Sequence, residues 1–319
     1  MFASPAETLA GLESAGYFTD IKVATAVFLG GSIHRPILLE GPAGAGKTEL
    51  AQSVARACAV PLLRLQCYQG IDEEKAIGHY DRSLQEIYVL LMSRSTETPD
   101  WAHIKREITS RAYFMAGPLL EAIEQDERCV LLIDEIDKVD YAFEAMLLEL
   151  LSVWTLSIPR MGTVSATSIP LVFLTSNQER RLGDPLRRRC FYLVVEHPNP
   201  EREAAIVAKR TPHADEASHR FIAGFARSLR AYTLEKPPSI SEMNDMAMAM
   251  DLLGIDRILP EHKEIILPLI AKTEGDRKRL LMKEAFESIV RMAAKYADQI
   301  KQDDPGENRL VLAGSELRQ

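Results

Sequence analysis

Short apolar runs recur along the first two thirds of the chain: Ile37–Leu39, Leu62–Gln66, Cys129–Ile133, Ile169–Leu174 and Phe191–Val195. Runs of this length predict strands buried on both faces, as in a parallel sheet. Between them the apolar positions move to helical spacing, at Leu50, Ala51, Val54, Ala55 and Cys58, and at Val139, Phe143, Met146, Leu147, Leu150 and Leu151. Two helical stretches come first. One is Ala6–Ser14, begun by Ser4 or Pro5. The other takes in Tyr17-Phe18 and Ile21–Leu29 and leads into a turn at Gly30-Gly31. Strands alternating with helices predict an α/β fold with a parallel sheet.

The pattern is interrupted twice and then changes. Residues 67–128 are too long for one crossover and predict an insertion, with helices over Leu84–Ser93 and Ile104–Ile123 and an exposed polar loop at Ser95–Asp100. Thr155–Ile158 and Thr163–Ala166 around Pro159–Gly162 predict a projecting hairpin, residues 155–166. Glu196-His197-Pro198-Asn199-Pro200 is a break, and only helical patterns follow it. Ser239 and Glu242, after Pro237-Pro238, form a capping box for a helix that buries Ile240, Met243, Ala247, Met250 and Leu253. A last helix carries Phe286, Ile289, Val290, Ala293, Tyr296 and Ile300, and the polar tail from Gln302 is expected to fray. The division expected is 1–196 for the α/β domain and 197–319 for a smaller all-helical one.

The most informative stretch joins the first strand to its helix. Gly41-Pro42-Ala43-Gly44-Ala45-Gly46-Lys47-Thr48 fits G-x-x-x-x-G-K-[ST], placed between a strand and a helix as its chemistry requires. Gly41, Gly44 and Gly46 let the backbone curl so that its N–H groups point inward, and the helix N-terminus adds positive dipole there. Lys47 can reach the terminal phosphates of a nucleotide, the Thr48 hydroxyl can ligate Mg²⁺, and Glu49 opens the helix. The motif belongs to a phosphate-binding (P-loop) nucleotide-triphosphate enzyme.

Asp134-Glu135 follows a later strand. In an open parallel sheet the ligand lies at the carboxyl ends of the strands, so Asp134 can hold Mg²⁺ through water and Glu135 can activate water. Acids also simply favour the start of a helix. Asn177 ends another strand and is a candidate to orient the attacking water, or a turn asparagine. Arg187-Arg188-Arg189 precedes the last strand. It reads as a solvated face, or as a source of an arginine aimed at a neighbouring subunit's γ-phosphate. Tyr68 fits a polypeptide-gripping loop or a half-buried turn tyrosine. The methionines at 243, 246, 248 and 250 fit core packing better than a soft-metal site.

Composition narrows the class. The 319 residues carry a net charge of −8, against a dedicated nucleic-acid binder. No apolar run is long enough to span a bilayer, and the N-terminus lacks the basic and apolar regions of a secretory signal. Four scattered cysteines, Cys58, Cys67, Cys129 and Cys190, read as reduced thiols in a cytoplasmic protein.

GPAGAGKT, LLIDEID, LTSN and LRRRCF, in that order, resemble the AAA+ ATPases. The hairpin before LTSN and the segment after the second strand look like the MoxR branch. PLLRLQCYQGID, FEAMLLELLSVWTLSIPRMGTVSAT and DPLRRRCFYLVVEHP are similar to its CoxD-like members, and the resemblance covers about Ala15 to Leu253. It implies a P-loop parallel sheet followed by a helical lid, ATP and Mg²⁺ as ligands, and a homo-oligomeric ring, a hexamer, with nucleotide between subunits. It also implies a chaperone role with a von Willebrand factor A domain protein on a client metalloenzyme, such as metal-centre maturation of a molybdenum enzyme. By motif match, Lys47, Thr48, Asp134, Glu135 and Asn177 take the roles above, the trans arginine falls on Arg188 or Arg189, and Tyr17 and Phe18 flank adenine. The lid departs from the family. Where a sensor arginine is common the chain reads PPSISEMND, while Arg227 and Arg230 lie on an earlier helix. A ring-shaped nucleic-acid motor or loader is the alternative, disfavoured by a hairpin tip with one arginine. A small-molecule kinase is a third reading, disfavoured by the arginine run and the helical last third.

Overall fold

The computed structural model of the chain describes residues 1–94 and 100–300. The polar loop expected at 95–100, apart from Asp100, and the tail from Gln302 lie outside the described residues. The strands are β1 (Ile37–Glu40), β2 (Leu62–Gln66), β3 (Gly78–Tyr80), β4 (Phe114–Ala116), β5 (Val130–Asp134), β6 (Thr155–Ile158), β7 (Gly162–Ser165), β8 (Leu171–Ser176) and β9 (Phe191–Val194). Five of them form one sheet in the order β2-β5-β8-β1-β9, paired parallel throughout. Every residue of β1, β5 and β8 is buried, which is why these segments read as unbroken apolar runs. The register aligns Gln66 with Asp134 and Glu40 with Ser176, so the polar residues closing each run gather along one end of the sheet.

Several sequence expectations change against this frame. The second helix, Ile21–Ser32, runs through Gly30-Gly31 instead of ending there. A Cβ at Gly30 would meet Ile37 Cδ1 at 2.8 Å, so this glycine permits close packing against β1 and does not break the helix. Tyr17-Phe18 lies before the helix, whose N-cap is Asp20, with its carboxylate accepting from Val23 N–H. The single helix expected over 104–123 is four pieces: a helix Trp101–Ile108, a short 3-10 turn Arg111–Tyr113, strand β4 and a helix Pro118–Glu124. Pro118 lacks the N–H a helix interior needs and sits at a first turn instead. Gly117 touches the backbone of Ala76 closely enough to exclude a side chain. β4 pairs with β3 as a small antiparallel hairpin, and β6 and β7 form a second one before β8.

The chain divides into two units, Met1–His197 and Pro198–Gln319. In the second, helices Pro200–Arg210, Glu216–Ala231, Ile240–Leu253, Lys263–Ile270, Glu274–Leu281 and Lys283–Ile300 enclose a core of Val207, Phe221, Phe225, Leu229, Met243, Met246, Met250 and Phe286. The Ser239–Glu242 capping box is present. Leu253, expected inward, is exposed, because the helix ends there at Gly254 in the left-handed region. Of the four methionines only Met248 faces solvent. Arg230 donates twice to the buried carboxylate of Glu203, at 2.8 Å each, and Arg227 stacks over Tyr296, so both arginines are engaged within this unit. The helices 216–231 and 283–300 approach so closely that a Cβ on Gly224 would lie 2.4 Å from Ala293 O. We expect Gly224→Ala to cost about 1–3 kcal/mol of stability by overpacking. A urea melt with an unchanged midpoint would disprove that closeness.

Candidate active site

The phosphate loop grows out of β1 and is wedged between its neighbours. Gly41 N–H donates to Ser176 O of β8, Val195 N–H after β9 donates to Glu40 O, and a Cβ on Gly41 would lie 2.0 Å from Val195 O. Gly44 and Gly46 take left-handed φ of 74° and 92°, which a side chain resists. Pro42, Ala43 and Gly44 are exposed and Ala45 is buried. Lys47 begins the helix Lys47–Cys58. Its ammonium is folded back under the loop, donating to Gly41 O at 2.8 Å, Pro42 O at 2.7 Å and Asn177 Oδ1 at 2.8 Å. Burial holds the Lys47 ammonium below its usual pKa, against the pull of Asp137, Asp134 and Glu135. Glu49 pairs with Arg56 on its own helix.

Thr48 Oγ1 donates to Asp134 Oδ1 at 2.9 Å, so these two residues meet as their motifs predict. Oxygen donors of this kind suit Mg²⁺, with the Thr48 hydroxyl as direct ligand and the carboxylate acting through water. Asp134 is fully engaged. Thr175 Oγ1 donates to Oδ1 at 2.5 Å, and the Arg64 guanidinium donates to Oδ2 at 2.6 Å. Glu135, next along, has a left-handed φ of 58°, and its N–H donates to Thr175 Oγ1 at 2.9 Å. A non-glycine residue there costs about 1–2 kcal/mol, so the fold holds this carboxylate against backbone preference.

Asn177 follows β8 with its side chain on Lys47, and its N–H donates to Asp137 Oδ2 at 3.0 Å. Asp137 also accepts from Glu179 N–H, and its other oxygen is buried with no partner among the described residues. Tyr17 lies beside the loop, its ring 3.6 Å from where a Cβ on Gly46 would stand, and Phe18 is half-buried next to it.

The arginine run occupies the short helix Asp184–Arg189. Its three members differ. Arg187 donates to the buried Glu40 at 2.9 Å and stacks over Tyr192. Arg189 donates to Ser152 Oγ and to Pro185 O. Arg188 is exposed, and its guanidinium has no hydrogen bond or ion pair among the described residues. The backbone below is clamped by Arg35, which donates to Arg188 O at 2.6 Å and Arg189 O at 3.1 Å.

Sequence reasoning missed Arg64, Thr175, Asp137, Glu40 and Arg35. Three of them carried a signal: an arginine inside the apolar run LLRLQ, a third acid in DEID, a glutamate closing ILLE. The four thiols are free. Burial pushes Cys67 and Cys190 up to about 12 and Cys129 up to about 11, which leaves these three unreactive at neutral pH.

A parallel sheet ordered β2-β5-β8-β1-β9, with the phosphate loop after its fourth strand and the acidic pair after its second, is the P-loop AAA+ fold. Residues 36–190 match the family described as AAA domain (dynein-related subfamily). Relatives include uncharacterized proteins of Staphylococcus epidermidis, 23% identical over 262 residues, and of Staphylococcus haemolyticus, 24% identical over 263. These alignments span 80% of this chain and 90% and 91% of theirs. Among solved structures, the Thermotoga maritima RuvB Holliday junction branch migration motor aligns with a TM-score of 0.42 and 17% identity, over 89% of this chain and 76% of that one. A point mutant of the same RuvB aligns with a TM-score of 0.43 and 15% identity, over 89% and 73%. No helix among the described residues is long and apolar enough to cross a membrane.

Proposed function

We propose that this chain is a Mg²⁺-dependent ATPase of the MoxR type that assembles as a ring, a hexamer, and remodels client proteins in the cytoplasm. The observation that carries the reading is the convergence of two hydrogen-bonded pairs, Lys47 with Asn177 and Thr48 with Asp134, at the carboxyl ends of β1, β5 and β8, with Glu135 beside them. When ATP enters the cradle, Lys47 exchanges its carbonyl partners and Asn177 for phosphate oxygens. Thr48, and Asp134 through water, would hold Mg²⁺, which would supply neutralising charge to the phosphates when bound. Glu135 takes the proton of the attacking water, Asn177 orients that water, and Asp137 fixes Asn177 from behind through the backbone. Tyr17 and Phe18 flank the adenine. The second unit serves as the lid. Arg227 and Arg230 are engaged within that unit.

Arg188 is the residue offered to the neighbouring subunit, because Arg187 and Arg189 are bound within their own. The CoxD-like stretches noted above support a von Willebrand factor A domain protein as partner and a metalloenzyme, such as a molybdenum enzyme, as client.

Steady-state phosphate release tests the reading. With Mg²⁺ present, a von Willebrand factor A domain protein from the same organism should raise turnover several-fold, and single-stranded DNA should leave it unchanged. Stimulation by DNA alone would favour the nucleic-acid motor. Absence of ATP heat in a calorimetric titration would remove the ATPase altogether.

A further inference from the structure

The carboxylate that precedes the phosphate loop has no part in the chemistry above, yet it is buried and fully used. Glu40 Oε1 accepts from Arg187 Nη1 at 2.9 Å. Its Oε2 accepts from Tyr192 O–H at 2.9 Å and from Gln178 Nε2 at 3.2 Å. The two partners that matter come from opposite directions. Gln178 follows Asn177 directly, is held at a left-handed φ of 64°, and bonds through its N–H to Ser176 Oγ. Asn177 in turn receives Lys47. Arg187 precedes Arg188 on a helix whose last carbonyls are gripped by Arg35 and whose preceding residue, Gly183, donates its N–H to Glu144 at 2.9 Å.

From this we infer that Glu40 is a positioning residue that couples the phosphate-sensing corner at Asn177 in one subunit to the arginine, Arg188, that the same subunit presents to its neighbour. The inference rests on the ATPase and ring reading above. A buried carboxylate held by three donors keeps one geometry and resists small shifts, because losing Arg187 strips one oxygen of its partner and losing Gln178 weakens the hold on the other. When Lys47 leaves Asn177 for phosphate, the Asn177 side chain loses its donor and turns to the attacking water, while Asp137 keeps its N–H. The movement reaches Gln178 through one peptide bond and Arg187 through one shared carboxylate. Each subunit thereby aims its arginine according to its own nucleotide.

The prediction is a defect that acts in trans. Glu40→Gln keeps the shape and removes the charge that holds Arg187. Gln178→Asn keeps the left-handed backbone, which asparagine tolerates, but is too short to reach Glu40. Gln178 is exposed, so this variant preserves folding should Glu40→Gln not. For either variant, calorimetry should give ATP affinity within about twofold of wild type, while turnover in uniform rings drops on the order of a hundredfold, the cost of a misplaced group. Mixing either variant with Lys47→Ala subunits should restore turnover, since those subunits bind no ATP but, lacking the Lys47 ammonium, leave Asn177 released as ATP binding does and so present an aimed arginine.

Loss of ATP affinity in Gln178→Asn, wild-type turnover in uniform rings of Gln178→Asn, or no recovery in its mixture would each overturn the inference. A parallel mixture of Arg188→Ala with Lys47→Ala separates the two levels. If that mixture recovers and the Gln178→Asn mixture does not, only the coupling falls. If neither recovers, the trans arginine falls with it.

Discussion

Glu135→Gln is expected to bind ATP with wild-type affinity and to lose turnover by about 10²–10⁴-fold, the usual share of a positioned general base. The substitution keeps size and shape and removes only the ability to accept a proton. The backbone strain at this position does not change, because Gln meets the same left-handed penalty as Glu and the Thr175 hydroxyl still accepts its N–H. Asp134, which with Thr48 is the Mg²⁺ candidate, keeps its three partners. ATP should therefore accumulate unhydrolysed between subunits and stabilise the assembled ring, visible as a larger sedimenting species with ATP than with ADP. Calorimetry and single-turnover phosphate release decide the matter. ATP binding lost together with turnover would mean that Glu135 shapes the pocket and does not act on water.

Arg188→Ala is expected to lower turnover by about 10³–10⁵-fold with ATP binding intact, as removal of a trans arginine does. The side chain is exposed and bound to nothing among the described residues, so its loss takes no bond from its own subunit. Mixed rings with Lys47→Ala should recover activity, one variant supplying the nucleotide and the other the arginine. Arg189→Ala is the internal control. It loses bonds to Ser152 and Pro185 O within its own subunit, so its effect on turnover should be small beside that of Arg188→Ala. If Arg189→Ala proved the more damaging and were rescued in trans, the assignment would pass to Arg189.

Much of the strand framework was readable before any coordinates. The three central strands announce themselves because a strand buried on both faces is almost wholly apolar, while β2 and β9, at the sheet edges, are partly exposed yet still short and apolar enough to show, the boundaries of β2 falling where the sequence puts them. The insertion was less legible. Its short hairpin, β3 with β4, has strands of three residues each, too brief to show a period. Gly117-Pro118 was a stop signal inside an otherwise helical pattern. Gly30 misled for a different reason: its role is close contact with Ile37, and a glycine needed for contact looks in sequence like one needed for a turn.

The active site divides the same way. Local spacing alone announces Lys47, Thr48, Asp134 and Glu135, because the phosphate loop and the acidic pair are each built from consecutive residues on one strand end, so their chemistry is written locally. Arg64, Asp137 and Glu40 are polar residues whose partners lie 40 to 147 positions away, at Asp134, Asn177 and Arg187. No one-dimensional pattern joins them, since only the parallel register of β2-β5-β8-β1-β9 brings those strand ends together. The three arginines make the point most sharply. As letters they are equivalent, and packing alone separates them, binding Arg187 to Glu40 and Arg189 to Ser152 and leaving Arg188 free to face outward.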